Sequence, residues 1–295
     1  MPRRSSTLSD SERQERRDAT RERLEAAARD LLTSDGWARW ARARACFHRY
    51  SLHNTLLIAH QRPCATYVAG FRAWLKLGRA VRKGERAIRI LGPIRRRVED
   101  ESTGEQVWRV VGYRDVAVFD ISQTDPVPGA DPVELTPPAW APLTGDSHAH
   151  LLPALEGLAG EQGYAVSYEK LPGALGGYCN TEAKRIVIDA AHAGNARVRT
   201  LIHELAHALG VTYQSHRRDE AEVIVETVTY IVAAGAGLDT GSESIAYIAG
   251  WGEDGALEQV HAAAQRVDEI ARQIEAALNP DQAPGEVAAA NAEPA

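Results

Sequence analysis

The run Leu201-Ile202-His203-Glu204-Leu205-Ala206-His207-Ala208-Leu209-Gly210 decides how this chain is read. Its apolar residues recur at helical spacing and a glycine closes it, as expected of a helix lying against a core. Positions four apart on a helix differ by about 40° in azimuth and about 6 Å in rise, so the imidazoles of His203 and His207 reach one point in space. Two histidines so disposed suit a zinc ion, and Glu204 lies beside the position left open. There it can serve as general base, the arrangement of an H-E-x-x-H metallopeptidase. A bare match of this kind also arises by chance as two surface histidines. The apolar flanks, the terminating Gly210 and the acidic residues on the next helical stretch favour the metal.

A catalytic zinc needs a third protein ligand. The next histidine, His216, is nine residues beyond His207, too far for the longer three-histidine motif. Glu222 and Glu226 lie one turn apart on a helical pattern from about Asp219 to Ala234. Glu222 is assigned as the third ligand and Glu226 as an alternative ligand or the group that orients a histidine ring; the competing reading makes them solvated helix carboxylates. Arg217 and Arg218 precede that helix and are expected at the surface. Tyr178, after a glycine-rich turn over residues 173–177, is expected on an edge strand able to pair with an extended peptide. Tyr247 and Trp251 are expected to pack.

Outward from this motif, the chain has 295 residues and is 44% hydrophobic, enough for two domains with proper cores. No stretch approaches the roughly 20 apolar residues of a membrane span. The arginine-rich N-terminus lacks the apolar core of a signal peptide, and Cys46, Cys64 and Cys179 are too scattered for a disulfide framework, so a cytosolic address and no membrane partner are expected. The net charge of −6 conceals an asymmetry: residues 1–120 hold 25 basic and 15 acidic residues, the remainder 9 and 25. Only the first half should attract a polyanion.

Helices are expected from about Ser9 to Thr33, with a Ser9/Glu12 capping box and a break at Gly36, and from near Trp37 to Gln61. A strand at Ala65 to Val68 and a helical turn through Phe71, Trp74 and Leu77 follow. Strands are expected at Ala87 to Leu91 and Val107 to Phe119 around a turn at Glu99 to Gln106. The Pro-, Thr- and Gly-rich stretch from Ser122 to Asp146 reads as a linker. Beyond it come a helix near Leu151 to Gln162, a strand at Tyr164 to Tyr168, a hairpin ending at Arg185 to Asp189, the two metal-site helices, and a helix from about Ala256 to Leu278. The tail after Asn279 is expected to be disordered.

Basic and aromatic residues interleave in the first half: Arg39, Trp40, Arg42, Arg44, Phe47, His48, Arg49 and Tyr50, then Phe71, Arg72, Trp74 and Lys76, then Arg79, Arg82, Lys83, Arg86 and Arg89. Cations track phosphates while aromatic faces stack on unpaired bases. At helical spacing, however, Trp40, Phe47 and Trp74 are more often core residues. The run Tyr50-Ser51-Leu52-His53-Asn54 continues through Leu57-Ile58, Gln61, Pro63, Gly70-Phe71, Trp74, Leu77-Gly78-Arg79, Val81, Lys83-Gly84-Glu85, Ile88 and Pro93. Together with Val118-Phe119-Asp120 and Gln123-Thr124 it resembles the N-terminal domain of ArdC antirestriction proteins over about 75 residues.

That resemblance implies an α+β chain of two domains, an N-terminal single-stranded DNA-binding domain (1–125) and a zincin-like, IrrE-type metallopeptidase domain (147–278). A linker (126–146) joins them and a tail (279–295) follows. It implies antirestriction function tied to mobile DNA, Zn2+ as cofactor, and single-stranded DNA with a possible protein substrate as partners. The DNA-contacting set is then Arg49, Tyr50, Asn54, Phe71, Trp74, Arg79, Arg82 and Lys83. Two other functions compete: a regulatory protease that cleaves a repressor, and a binding protein with structural zinc. Glu204 speaks against the latter, since a structural site needs no base.

Overall fold

The first helical stretch breaks before Gly36, not at it. Residues 31–33 end α1 (Asp10–Asp30), and the Thr33 side chain accepts from the Gly36 N–H at 3.0 Å to start α2 (Ser34–Cys46). Gly36 belongs to the first turn of α2, where a Cβ would sit 1.8 Å from the Asp30 carbonyl oxygen, so the glycine permits the close passage of α1. The expected helix over 37–61 is likewise two, because Phe47 leaves helical geometry and Ser51 caps α3 (Leu52–Gln61). The structure, a computed structural model, describes residues 10–99, 106–130, 141–240 and 257–280. Ser9, most of the 99–106 turn, Tyr247, Trp251 and the tail beyond residue 280 lie outside them.

The chain continues through β1 (Val68–Gly70), α4 (Phe71–Lys76), β2 (Arg79–Val81), β3 (Ile88–Glu99) and β4 (Gln106–Asp120). β3 and β4 form a long antiparallel ribbon with a bulge at Ile94/Arg95, and β1 pairs with the far edge of β4. The strand expected at 87–91 therefore runs eight residues further. β5 (Thr124–Pro126) pairs with β2, so the stretch read as linker from Ser122 is structured at its start. After β6 (Ala141–Pro142) come α5 (Leu152–Glu161), β7 (Ala165–Glu169), β8 (Gly177–Asn180) and β9 (Arg185–Asp189). β9 is central in that sheet, parallel to β7 and antiparallel to β8. Then follow α6 (Gly194–Ala208), α7 (Arg218–Gly235), β10 (Leu238–Asp239), parallel to β6, and α8 (Leu257–Leu278). The class is α+β.

One apolar cluster joins Leu31, Trp37, Trp40 and Leu57 of the first helices to Leu201, Ile224, Val228, Val267 and Ile274 of α6, α7 and α8. Polar ties reinforce it. The Trp37 indole donates to Thr227 Oγ1 at 3.1 Å, and the fully buried Arg44 forks onto Glu275 at 2.8 and 3.0 Å while also pairing with Asp268. A second cluster (Phe47, Ile58, Val68, Ile88, Ile90 and Val118) lies under the base of the ribbon. Among the described residues no helix is long and apolar enough to cross a membrane.

Candidate functional site

α6 carries the H-E-x-x-H run on a face pressed into the core, with Leu201, Ile202, Leu205 and Ala206 fully buried. It stops at Gly210, whose φ of +109° is accessible to glycine and strained for other residues. The chain then turns back so that the first turns of α7 pass the histidines. Ligand atoms of His203, His207 and Glu222 all lie within 4.8 Å of one another. Glu222 Oε2 is 3.8 Å from His203 Nε2, and Oε1 is 3.7 Å from His207 Nε2. The outer ring nitrogens are held from behind. His207 Nδ1 meets the Val211 carbonyl at 2.7 Å, and His203 Nδ1 lies 3.1 Å from Glu226 Oε1, an ion-pair distance off hydrogen-bond alignment. Arg199 Nη2 in turn donates to Glu226 Oε2 at 2.8 Å. Two neutral-capable imidazole nitrogens and a carboxylate, backed by oriented partners, fit a divalent ion such as zinc.

Burial disfavours a charged His203, but Glu226, with Glu204 and Glu222, outweighs it and raises the ring's pKa. Burial and the neighbouring His203 lower that of His207. Burial alone would raise Glu226, yet His203 and Arg199 hold it below the usual carboxylate range. Glu204 is pushed up to about 7, chiefly by burial, with the Glu222 charge adding to it. His203 and the Cys179 backbone N–H act in the opposite sense.

That N–H belongs to β8, the edge strand of its sheet. Gly177 lets β8 lie flush on α6: a Cβ there would stand 2.7 Å from Thr200 Cγ2 and 2.8 Å from the Val187 carbonyl. Tyr178 is 37% exposed on this strand. Tyr213 is a site residue that the sequence reading passed over. Its hydroxyl bonds Glu222 and its ring meets His207 edge-on at 5.5 Å. Only its proximity to His207 in sequence could have drawn attention to it. Arg218 lies over the Tyr213 ring at 5.4 Å and Arg217 pairs with Asp219, both at the surface.

The residues named for DNA contact divide. Trp74 is wholly buried and its indole donates to the Phe119 carbonyl at 2.9 Å, so it presents no face to a base. Asn54 is buried too, exchanging two hydrogen bonds with the Leu91 backbone at 2.8 and 2.9 Å and thereby fixing α3 to β3. Arg79 is engaged by Thr124, and Arg82 by Glu85 and Asp125. Tyr50 is half-buried against Phe47, and burial pushes its phenol up to about 12. Arg49, Phe71 and Lys83 are exposed.

Residues 12–119 match the family model described as the N-terminal domain of anti-restriction factor ArdC. An uncharacterized protein of Bacillus anthracis is 28% identical over 271 residues, spanning 77% of this chain; the match covers 45% of that relative's length, so the chain is similar to less than half of it. Two crystal structures of the antirestriction ArdC protein from plasmid R388 are also similar. The metal-free one is 20% identical with a TM-score of 0.48, covering 78% of this chain and 86% of that one. The Mn(II)-bound one is 19% identical with a TM-score of 0.45, covering 78% and 89%. The likeness to the N-terminal domain of anti-restriction factor ArdC thus rests on residues 12–119, somewhat more than a third of the chain.

Proposed function

We propose that the chain is an antirestriction protein that joins single-stranded DNA binding, in its first 125 residues, to a zinc-dependent peptidase site held by His203, His207 and Glu222. The observation that carries the peptidase half is the convergence of these three ligands beside a buried Glu204. When bound, the ion would supply Lewis acidity and acidify a water. Glu204 is the proton acceptor. A carboxyl whose pKa stands at about 7 both takes and returns a proton near neutrality, and the Cys179 N–H orients it. The free edge of β8 offers backbone groups to an extended peptide passing Glu204. Glu226, itself held by Arg199, fixes the His203 ring.

The test is Glu204→Gln in the full chain. Zinc content after dialysis should equal that of the wild type, while zinc-dependent cleavage of an unfolded protein substrate should fall by about 100-fold or more. Cleavage at the wild-type rate would remove Glu204 as the base. A zinc-loaded wild type that cleaves no substrate would leave a binding protein.

A further inference from the structure

If the first half binds single strands by stacking, the platforms must be aromatic faces that solvent can reach. Trp37, Trp40, Phe47 and Trp74 are all buried. The large exposed aromatics of the first half instead include Trp108 at 62% and Tyr113 at 65%, the two most exposed, and both stand on β4. Val110 and Val111, each 50% exposed, lie between them.

The ribbon register puts these side chains on one face. Trp108 is opposite Arg97, Val110 opposite Arg95 and Tyr113 opposite Pro93, and alternate positions 93, 95 and 97 of a strand share a side. The bulge absorbs Val111, which keeps Tyr113 in phase with Trp108. Trp108 and Tyr113 are thus four ladder steps apart, roughly 13 Å along the strand. The Arg97 guanidinium lies 5.3 Å from the Trp108 ring centroid. Arg95 and Arg97 share the aromatic face, while Arg96, Arg109 and Arg114 take the other. The described acidic residues of this stretch stand at its ends: Glu99 ends β3, and Asp115 lies at the base, where it is engaged by Thr20 and Arg23 of α1. The middle of the ribbon is therefore cationic and aromatic.

We infer that this middle section is a binding site for single-stranded DNA, with Trp108 and Tyr113 as base-stacking platforms and Arg95 and Arg97 as phosphate contacts. The inference rests on the DNA-binding half of the proposed function and places it on residues that the sequence pattern did not single out. Unpaired bases present the flat faces that such rings cover, whereas a duplex keeps them stacked. Charge opposes a second copy as occupant, because a symmetric pairing of this face would bring the arginines together.

The experiment is fluorescence anisotropy of a labelled oligo(dT) of about 20 nucleotides, longer than one typical single-strand site, titrated with the full chain and its variants. Trp108→Ala with Tyr113→Ala should weaken binding about 30-fold or more, from stacking lost at two bases. Trp108→Phe with Tyr113→Phe should restore most of it. Arg95→Gln with Arg97→Gln should flatten the dependence of affinity on salt by roughly one unit of slope or more. Both aromatics are over 60% exposed, so the variants should keep the circular dichroism and urea transition of the wild type. A wild type that binds tightly, beside a double alanine variant that binds equally well, would overturn the ribbon site and leave DNA binding intact. A wild type that binds no single strand would overturn both. Loss of self-association in the alanine variant, with unchanged DNA binding, would make the face a dimer contact and also overturn the inference.

Discussion

The carboxylate of Asp120 receives the backbone N–H groups of Thr66, Tyr67 and Ser122 at 2.9 to 3.1 Å, together with the Ser122 hydroxyl. Burial would raise its pKa, but these donors, the Ser122 hydroxyl foremost, outweigh burial and hold it below the usual aspartate value. A carboxyl depressed in the folded state adds stability in full above its unfolded pKa, and that stability fades as pH falls through the folded pKa. Asp120→Asn should therefore cost about 2 kcal/mol at pH 7. The gap between variant and wild type should shrink in acid. Urea unfolding at pH 7 and near pH 3 checks this, and an equal gap at both values would mean that the charge is not what the loop needs. The family resemblance groups Asp120 with Gln123 and Thr124, while helical spacing puts His203 and His207 on one face and leaves Glu222 and Glu226 as candidates for the third ligand. The pattern did not separate Trp74 and Asn54 from surface residues, because helical periodicity gives a side chain's face and not what lies against it. Tyr213 escaped notice because it meets Glu222 only through the fold of the loop between two helices.

At the level of elements, helices and strands were legible wherever periodicity was long. The second metal-site helix and the last helix are expected within two residues of where they lie, whereas the motif helix, read only around His203 to His207, begins at Gly194. Boundaries inside the 37–61 stretch were not legible, since the Phe47 to Ser51 break has a capping serine but no glycine or proline to announce it. Just before that break, in the last turn of α2, Arg44 reaches α8. Arg44 is 0% exposed and is the sole cation paired with both Asp268 and Glu275 among the described ion pairs; Arg272 bonds Asp268 as well, and also the Tyr50 and His48 carbonyls. Removing one partner of such a cluster leaves buried carboxylates uncompensated. Arg44→Ala is expected to lower the stability of the full chain by about 3–5 kcal/mol in urea titration. Arg44→Lys should recover little of it, because an ammonium cannot fork onto Glu275 while reaching Asp268. A loss below about 1 kcal/mol for the alanine variant would show that the cluster is neutral to stability.

Across the whole molecule, the charge asymmetry and the proline-rich stretch at 122–146 suggest two separable units, and nothing in a linear pattern tells whether two apolar faces meet. In the folded chain they do. Leu31, Trp37, Trp40 and Leu57 share one cluster with α7 and α8, and Trp37 is hydrogen-bonded to Thr227. Each large side chain in such a core contributes about 1.5–3 kcal/mol when buried, so cutting the chain after residue 125 would expose several of them at once. It would also strip Arg44 of both acidic partners. The second cluster under the ribbon, built from first-half residues alone, is small by comparison. A fragment of residues 1–125 is therefore expected to keep helical circular dichroism but to unfold in urea over a broad range, with a slope well below that of the full chain, which should unfold in one transition. Its tryptophans should emit at the wavelength of solvent-exposed indole. A steep cooperative transition and buried-tryptophan emission in the fragment would mean that the cluster beneath the ribbon suffices. The contacts with α7 and α8 would then be docking between units that fold independently.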